Sequence, residues 1–138
     1  MSPFQAKRQA TKRILVVDDI EDNVSLLQVI LTEEGYEVDT AIDGKSALAK
    51  VEASPPDLVL LDAMMPKMDG YEVTRRIRQN NKLPFIPILL ITAYIEADVP
   101  KGLELGANDF IRKPIDYDEL LARVKSTLRL KDMMNSPQ

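Results

Sequence analysis

Four short apolar runs, each closed by a polar residue, constrain this chain more than anything else in its sequence. Ile14-Leu15-Val16-Val17 ends in Asp18-Asp19, Leu58-Val59-Leu60-Leu61 ends in Asp62, and Ile88-Leu89-Leu90-Ile91 ends in Thr92. The shorter Phe110-Ile111-Arg112 leads into Lys113-Pro114. A continuous apolar run of this length suits a strand buried on both faces, whereas a half-exposed strand alternates. Glu37 to Ala41 reads as a weaker fifth strand.

Helical spacing fills the gaps between these runs. Val24, Leu27, Ile30 and Leu31 share one face, and Gly35 stops that helix. Asp43-Gly44 turns the chain into Lys45–Ala53, which Pro55-Pro56 breaks. A loop with Pro66 and Gly70 leads to a helix from about Tyr71 to Gln79. The next helix is expected from about Asp98 to Leu105, with Gly106 as its stop. Pro100 and Gly102 weaken it unless Pro100 sits in its first turn. The last helix starts at Asp116, which with Glu119 reads as a capping box. It carries Leu120, Leu121, Val124 and Leu128 on one face and meets no breaker before Pro137. Five strands alternating with five helices make an α/β chain with an open parallel sheet covered on both faces. A closed barrel needs eight such units. The length, 138 residues, fits one domain.

In open sheets of this kind the ligand site lies beyond the carboxyl ends of the strands. The residues expected at that edge are Asp18, Asp19, Asp62, Thr92 and Lys113. Asp22 and Asp43 read as turn formers or helix caps instead. Gathering three carboxylates is costly unless a cation neutralises them. The chain has no cysteine and no histidine, which removes thiol catalysis, Ser-His-Asp triads and the softer metal sites. Oxygen ligands alone favour Mg²⁺, or Mn²⁺ as another hard divalent ion. A carboxylate can act as a nucleophile towards phosphorus. A metal, an ammonium and a hydroxyl can then share the charge on the transferring phosphoryl group.

Competing phosphate chemistries find little support. There is no GxxxxGK[ST] and no G-x-G-x-x-G after the first strand. The acidic stretch Asp18 to Asp22 would repel a flavin phosphate. Met64 stands where a haloacid-dehalogenase type of phosphatase wants its second Asp. A net charge of −4 argues against a broad nucleic-acid surface. The longest apolar stretch, Leu83 to Tyr94, contains Pro84 and Pro87 and is too short for the roughly twenty residues of a membrane span. The N-terminus lacks the apolar core of a secretory signal. A cytoplasmic setting is expected, with which the lack of cysteine agrees.

These residues together resemble the receiver domain of bacterial two-component response regulators. The likeness rests on VVDD at Val16–Asp19, LLDAMMPKMDG at Leu60–Gly70, ITA at Ile91–Ala93 and GANDFIRKPI at Gly106–Ile115, in that order and spacing. It implies a flavodoxin-like topology with strand order 2-1-3-4-5. It divides the chain into a flexible polar arm at 1–11, a receiver domain at 12–131 and a tail at 132–138. Asp62 is then the phosphoacceptor, attacking a phosphohistidine. Asp18, Asp19, Asp62 and the backbone carbonyl of Met64 are the metal ligands. Thr92 is the hydroxyl that moves to bond the acyl phosphate, and Lys113 pairs with the phosphoryl oxygens. Ala93 is small beside the entering group, Met64 and Tyr94 flank it, and Met64 and Met65 read equally well as packing residues. Phe110 is the aromatic switch partner of Thr92, turning inward on phosphorylation. The resemblance also implies a cis peptide at Lys113-Pro114.

The function implied is a phosphorylation-dependent switch, read through the face formed by the fourth helix, fifth strand and last helix. It is not a metabolic enzyme, and assists only its own phosphorylation and dephosphorylation. Its partners are a sensor histidine kinase or phosphotransfer protein, and a downstream protein target or a covalently linked effector domain. No direct contact with nucleic acid and no membrane insertion are expected, and a homodimer is compatible with the pattern. The chain reads either as a stand-alone receiver or as one cut from a longer regulator or hybrid kinase. The alternative is a Mg²⁺-dependent phosphohydrolase for a small substrate. Against it, the sequence has no cap insertion and no second acid–base residue beside Asp62.

Overall fold

The computed structural model describes residues 11–93 and 95–135, with side chains for all of these except 95–98 and 135. Tyr94, the end of the tail at 136–138 and all of the polar arm but Thr11 lie outside the described residues. The elements in chain order are β1 (Arg13–Val17), α1 (Glu21–Glu33), β2 (Glu37–Ala41), α2 (Gly44–Ala53), β3 (Leu58–Asp62), α3 (Gly70–Gln79), β4 (Ile88–Thr92), α4 (Ile95–Leu105), β5 (Asp109–Arg112) and α5 (Tyr117–Asn135). The five strands are parallel and lie in the order β2-β1-β3-β4-β5, the flavodoxin-like arrangement.

The continuous apolar runs are explained by the two-residue period of a strand, which sends alternate side chains to opposite faces. Leu15, Val17, Val59, Leu61, Ile88, Leu90 and Phe110 pack on one side with Ala47 and Val51 of α2 and Val73 and Ile77 of α3. Ile14, Val16, Leu58, Leu60, Leu89, Ile91 and Ile111 pack on the other with Leu27 and Leu31 of α1 and Leu120, Val124 and Leu128 of α5. Both faces are therefore core, and every residue of β3 and β4 is buried. β2 is an edge strand and shows it, with Glu37 and Asp39 exposed and Ala41 buried.

The helix ends follow local chemistry. Asp43 Oδ1 accepts from the Ser46 N–H and Asp69 Oδ1 from the Glu72 N–H, opening α2 and α3. Gly35 and Gly106, at φ 99° and 107°, follow α1 and α4 in the left-handed conformation that glycine favours. Asp116 caps α5 through the Asp118 and Glu119 N–H groups. The carboxylate of Glu119 pairs with Arg123, so only half of the expected capping box is seen.

The expected start of α4 needs correction. The helix begins at Ile95 rather than Asp98, so Pro100 lies inside it rather than in its first turn. Pro100 has no N–H to donate to the carbonyl four residues back, a local cost. Val99 and Leu105 of this helix pack against the core, and that tertiary contact outweighs the propensity on which the later start was based.

At the amino edge of the sheet Arg78 acts as a brace. Its guanidinium donates to the carbonyls of Gly106 and Ile86 at 2.9 and 2.7 Å and to Asn108 Oδ1 at 2.7 Å. It also lies 5.4 Å from the centre of the Phe85 ring. One side chain from α3 thus ties the entry to β4 and the turn before β5 together. Among the described residues no helix is long and apolar enough to cross a membrane.

Candidate functional site

Parallel strands bring the closing residue of every apolar run to the same edge. Asp62 is the last residue of β3, at the centre of the sheet. Asp18 and Asp19 follow β1 on one side, and Thr92 ends β4 on the other. Lys113 follows β5, and its N–H donates to the Thr92 carbonyl at 2.9 Å. The expected set therefore shares one edge, with Thr92 one residue beyond Ile91, the β4 partner of Asp62.

A carboxylate oxygen from each of Asp18, Asp19 and Asp62 lies within 4.8 Å of the others. Asp18 and Asp62 are each only 2% exposed, while Asp19 is open to solvent. Asp62 Oδ1 accepts from the Met64 N–H at 3.2 Å and from Lys113 Nζ at 3.3 Å. Burial pushes the Asp62 carboxyl above the usual carboxylate range. The Asp18 charge pushes the same way, and the Met64 N–H and the Lys113 ammonium oppose it. Three carboxylates against one ammonium leave an excess of negative charge. The donors are all oxygen, so the cluster has the chemistry of a hard divalent cation site.

Two residues of this site were given no site role in the sequence reading. Asn23 Nδ2 donates to Asp18 Oδ2 at 3.2 Å, while the Ile20 N–H donates to Oδ1 at 2.9 Å. Its only sequence signal was its place in the first turn after the acidic pair. Gly70 is the second. A Cβ there would stand 2.5 Å from the Asp62 carbonyl oxygen, so only glycine lets α3 start against the end of β3.

Other expected positions are resolved individually. The Lys113-Pro114 peptide is cis, as expected. Met65 is buried in the core, whereas the Met64 side chain is 57% exposed, so only Met65 is a packing residue. Thr92 is fully buried. Phe110 is 8% exposed, with its ring against α4, where a Cβ on Gly102 would lie 2.5 Å from Cζ. The ring is thus inward in this structure. Beside the carboxylates, Asp18, Asn23, Lys113 and Tyr117 help to line a cleft of about 190 Å³, with Leu26 and Leu27 as its apolar wall.

Comparison with known proteins agrees with this geometry. The family model of the response regulator receiver domain matches residues 14–125. The chain is 53% identical over 120 residues to the response regulator PleD of Caulobacter vibrioides, covering 86% of this chain and 26% of that protein. It is 52% identical over 123 residues to the alkaline phosphatase synthesis transcriptional regulatory protein PhoP of Bacillus subtilis, covering 88% and 50%. The chain thus spans half or less of these relatives. Among solved structures, the chemotaxis protein CheY4 of Vibrio cholerae superposes with a TM-score of 0.81 at 32% identity, over 86% of this chain and 99% of that one. The signal receiver domain of a histidine kinase from Syntrophus aciditrophicus gives 0.82 at 34% identity, over 93% and 98%.

Proposed function

This chain belongs to the response regulator receiver domain family, and from that premise we propose that it is a phosphorylation-dependent switch with Asp62 as its phosphoacceptor. One observation carries the choice of residue. Asp62 is the buried carboxylate at the central strand end, with an ammonium 3.3 Å away and two further carboxylates beside it.

In this reading Asp62 attacks the phosphorus of a phosphohistidine on a histidine kinase or phosphotransfer protein. An Asp62 oxygen–phosphorus bond forms, the nitrogen–phosphorus bond breaks, and the imidazole leaves with its electron pair. Oδ1 already accepts from Met64 and Lys113, so Oδ2 is the attacking oxygen. Asp18, Asp19, Asp62 and the Met64 carbonyl would hold a Mg²⁺ or Mn²⁺ ion, which when bound supplies charge neutralisation for the phosphoryl oxygens. Lys113 balances the charge that remains, and the Thr92 hydroxyl donates to the phosphoryl group from the end of β4. Ala93 leaves room for that group. Hydrolysis of the acyl phosphate returns the switch to its resting state, and no separate substrate is turned over.

The receiver unit is assigned to 12–131, in the cytoplasm, with 1–11 and 132–138 as flanking segments. The output runs through the face of α4, β5 and α5, to a protein target or a linked effector domain. PleD and PhoP, each at least twice as long as the matched region, make the linked arrangement a natural one.

The test is phosphorylation by acetyl phosphate or phosphoramidate with Mg²⁺, read by intact mass. One phosphoryl adduct is expected on the wild type and none on Asp62→Asn. An adduct that persists in Asp62→Asn overturns the assignment. Catalytic release of phosphate from a generic ester, without a stoichiometric adduct, would point to a phosphohydrolase.

A further inference from the structure

Asn23 is a neutral side chain that holds a member of the carboxylate cluster. It is the third residue of α1. A side chain there commonly turns back to the backbone N–H of the N-cap. Here the N-cap is Ile20, which has no side-chain cap, and the Asn23 amide reaches past it to Asp18 Oδ2 at 3.2 Å. The Ile20 N–H takes Oδ1 at 2.9 Å. The carboxylate of Asp18 is therefore pinned at both oxygens. At 2% exposure it has little water to replace a lost donor.

We propose that Asn23 is a positioning residue for the divalent cation site, and that by fixing the Asp18 carboxylate it sets a preference for Mg²⁺ over Ca²⁺. The inference rests on the receiver reading above. Each carboxylate oxygen has two lone-pair sites. One donor on each still leaves both oxygens able to face a cation, but the group cannot swing. Mg²⁺ demands near-ideal octahedral geometry, whereas Ca²⁺ accepts more ligands and bidentate carboxylates in flexible arrangements. A carboxylate held at both oxygens suits the first ion, and one held only by the Ile20 N–H loses that advantage. The donor is neutral, so it orients Asp18 without competing with the ion for the site's negative charge. Outer-shell donors of this kind are worth about 10–100-fold in metal affinity.

The experiment is calorimetric titration of the full chain at neutral pH with MgCl₂ and, separately, CaCl₂. It compares the wild type with Asn23→Leu, which keeps the side-chain size without the donor, and with Asn23→Ala. Metal-free melting is recorded for each. Mg²⁺ affinity is expected to fall about 10-fold in both variants while Ca²⁺ affinity changes much less, so the ratio of the two falls. A ratio equal to wild type in both variants overturns the proposal, even if metal-free melting drops, since a purely structural role would lower stability alone. A wild-type chain that binds neither ion overturns the proposed cation-dependent phosphoacceptor site itself. Wild-type binding with an unchanged ratio in the variants overturns only the role of Asn23.

Discussion

Lys113 Nζ stands 3.3 Å from Asp62 Oδ1, although their segments are separated by the whole of β4. The lysine reaches over the end of the intervening strand to the central one. It partly neutralises a carboxylate that burial and Asp18 otherwise disfavour as an anion. This ion pair makes the metal-free site tolerable without making it comfortable.

Asp62 should therefore weaken the metal-free fold at neutral pH. Its folded-state pKa is raised from 3.8, so stability is highest below that value and is lost as pH rises through the folded-state pKa. Asp62→Asn removes this penalty. Thermal denaturation in EDTA at pH 7 should show the variant melting a few degrees higher, on a scale of roughly 4 °C per kcal/mol. The gap should close as pH falls to about 4. A variant less stable than wild type at pH 7 would show that Lys113 more than offsets the burial.

Divalent cation should raise the melting temperature by relieving the same repulsion. At ten times the dissociation constant the gain is about 1.4 kcal/mol, provided the unfolded chain does not bind. Asp19→Ala should remove most of this gain while changing the metal-free fold little, because Asp19 is exposed. Scanning calorimetry with and without millimolar MgCl₂ checks it. A melting curve indifferent to Mg²⁺ in the wild type would count against the site.

The inward Phe110 ring depends on the absence of a side chain at Gly102. Gly102→Ala places a methyl 2.5 Å from Cζ, so either the ring moves outward or α4 shifts. Overpacking of this kind costs about 1–3 kcal/mol, against which alanine's better helix propensity returns up to about 1. Methyl and aromatic NMR should show displaced Phe110 resonances without phosphorylation. Beryllofluoride, as a phosphoryl mimic on Asp62, should move Thr92 and α4 in the wild type. If it leaves both unmoved, the aromatic switch is wrong for this chain.

Arg78 should be among the costliest surface-accessible positions to change. Arg78→Met keeps much of the apolar stem but leaves two carbonyls and Asn108 without their charged donor. A loss of about 3 kcal/mol is expected from urea denaturation. The carboxylate cluster lies at the other end of the sheet, so Mg²⁺ affinity at 25 °C should stay near wild type.

Most of the fold, and the gathering of the five candidate residues at one edge of the sheet, were legible because each signal was local. An apolar run of four residues identifies its own strand, and the residue that closes it needs no partner to be located. Once the strands are parallel, Asp18, Asp62, Thr92 and Lys113 must reach the same edge. The start of α4 was misplaced because Pro100 speaks only to local propensity, whereas the packing of Val99 and Leu105 lies elsewhere in the fold. Asn23 and Arg78 carried no motif at all, since an amide or a guanidinium takes its role from what it faces.

The chain's residues alone therefore determined the order of strands and helices, the acidic and basic groups available, and the end of the sheet where they gather. Hydrophobic period and strand direction are properties of short segments, which is why these features can be read without coordinates. Only the tertiary structure decided that Asn23 holds Asp18, that Arg78 braces β4 and the turn before β5, and that Phe110 rests inward over Gly102. Asn23 reaches Asp18, five residues back, through the local turn into α1, whereas the other two depend on atoms from separate segments meeting within about 3–4 Å. Such a meeting is settled by how helices and sheet pack together, and it leaves no trace in the spacing of residues along the chain.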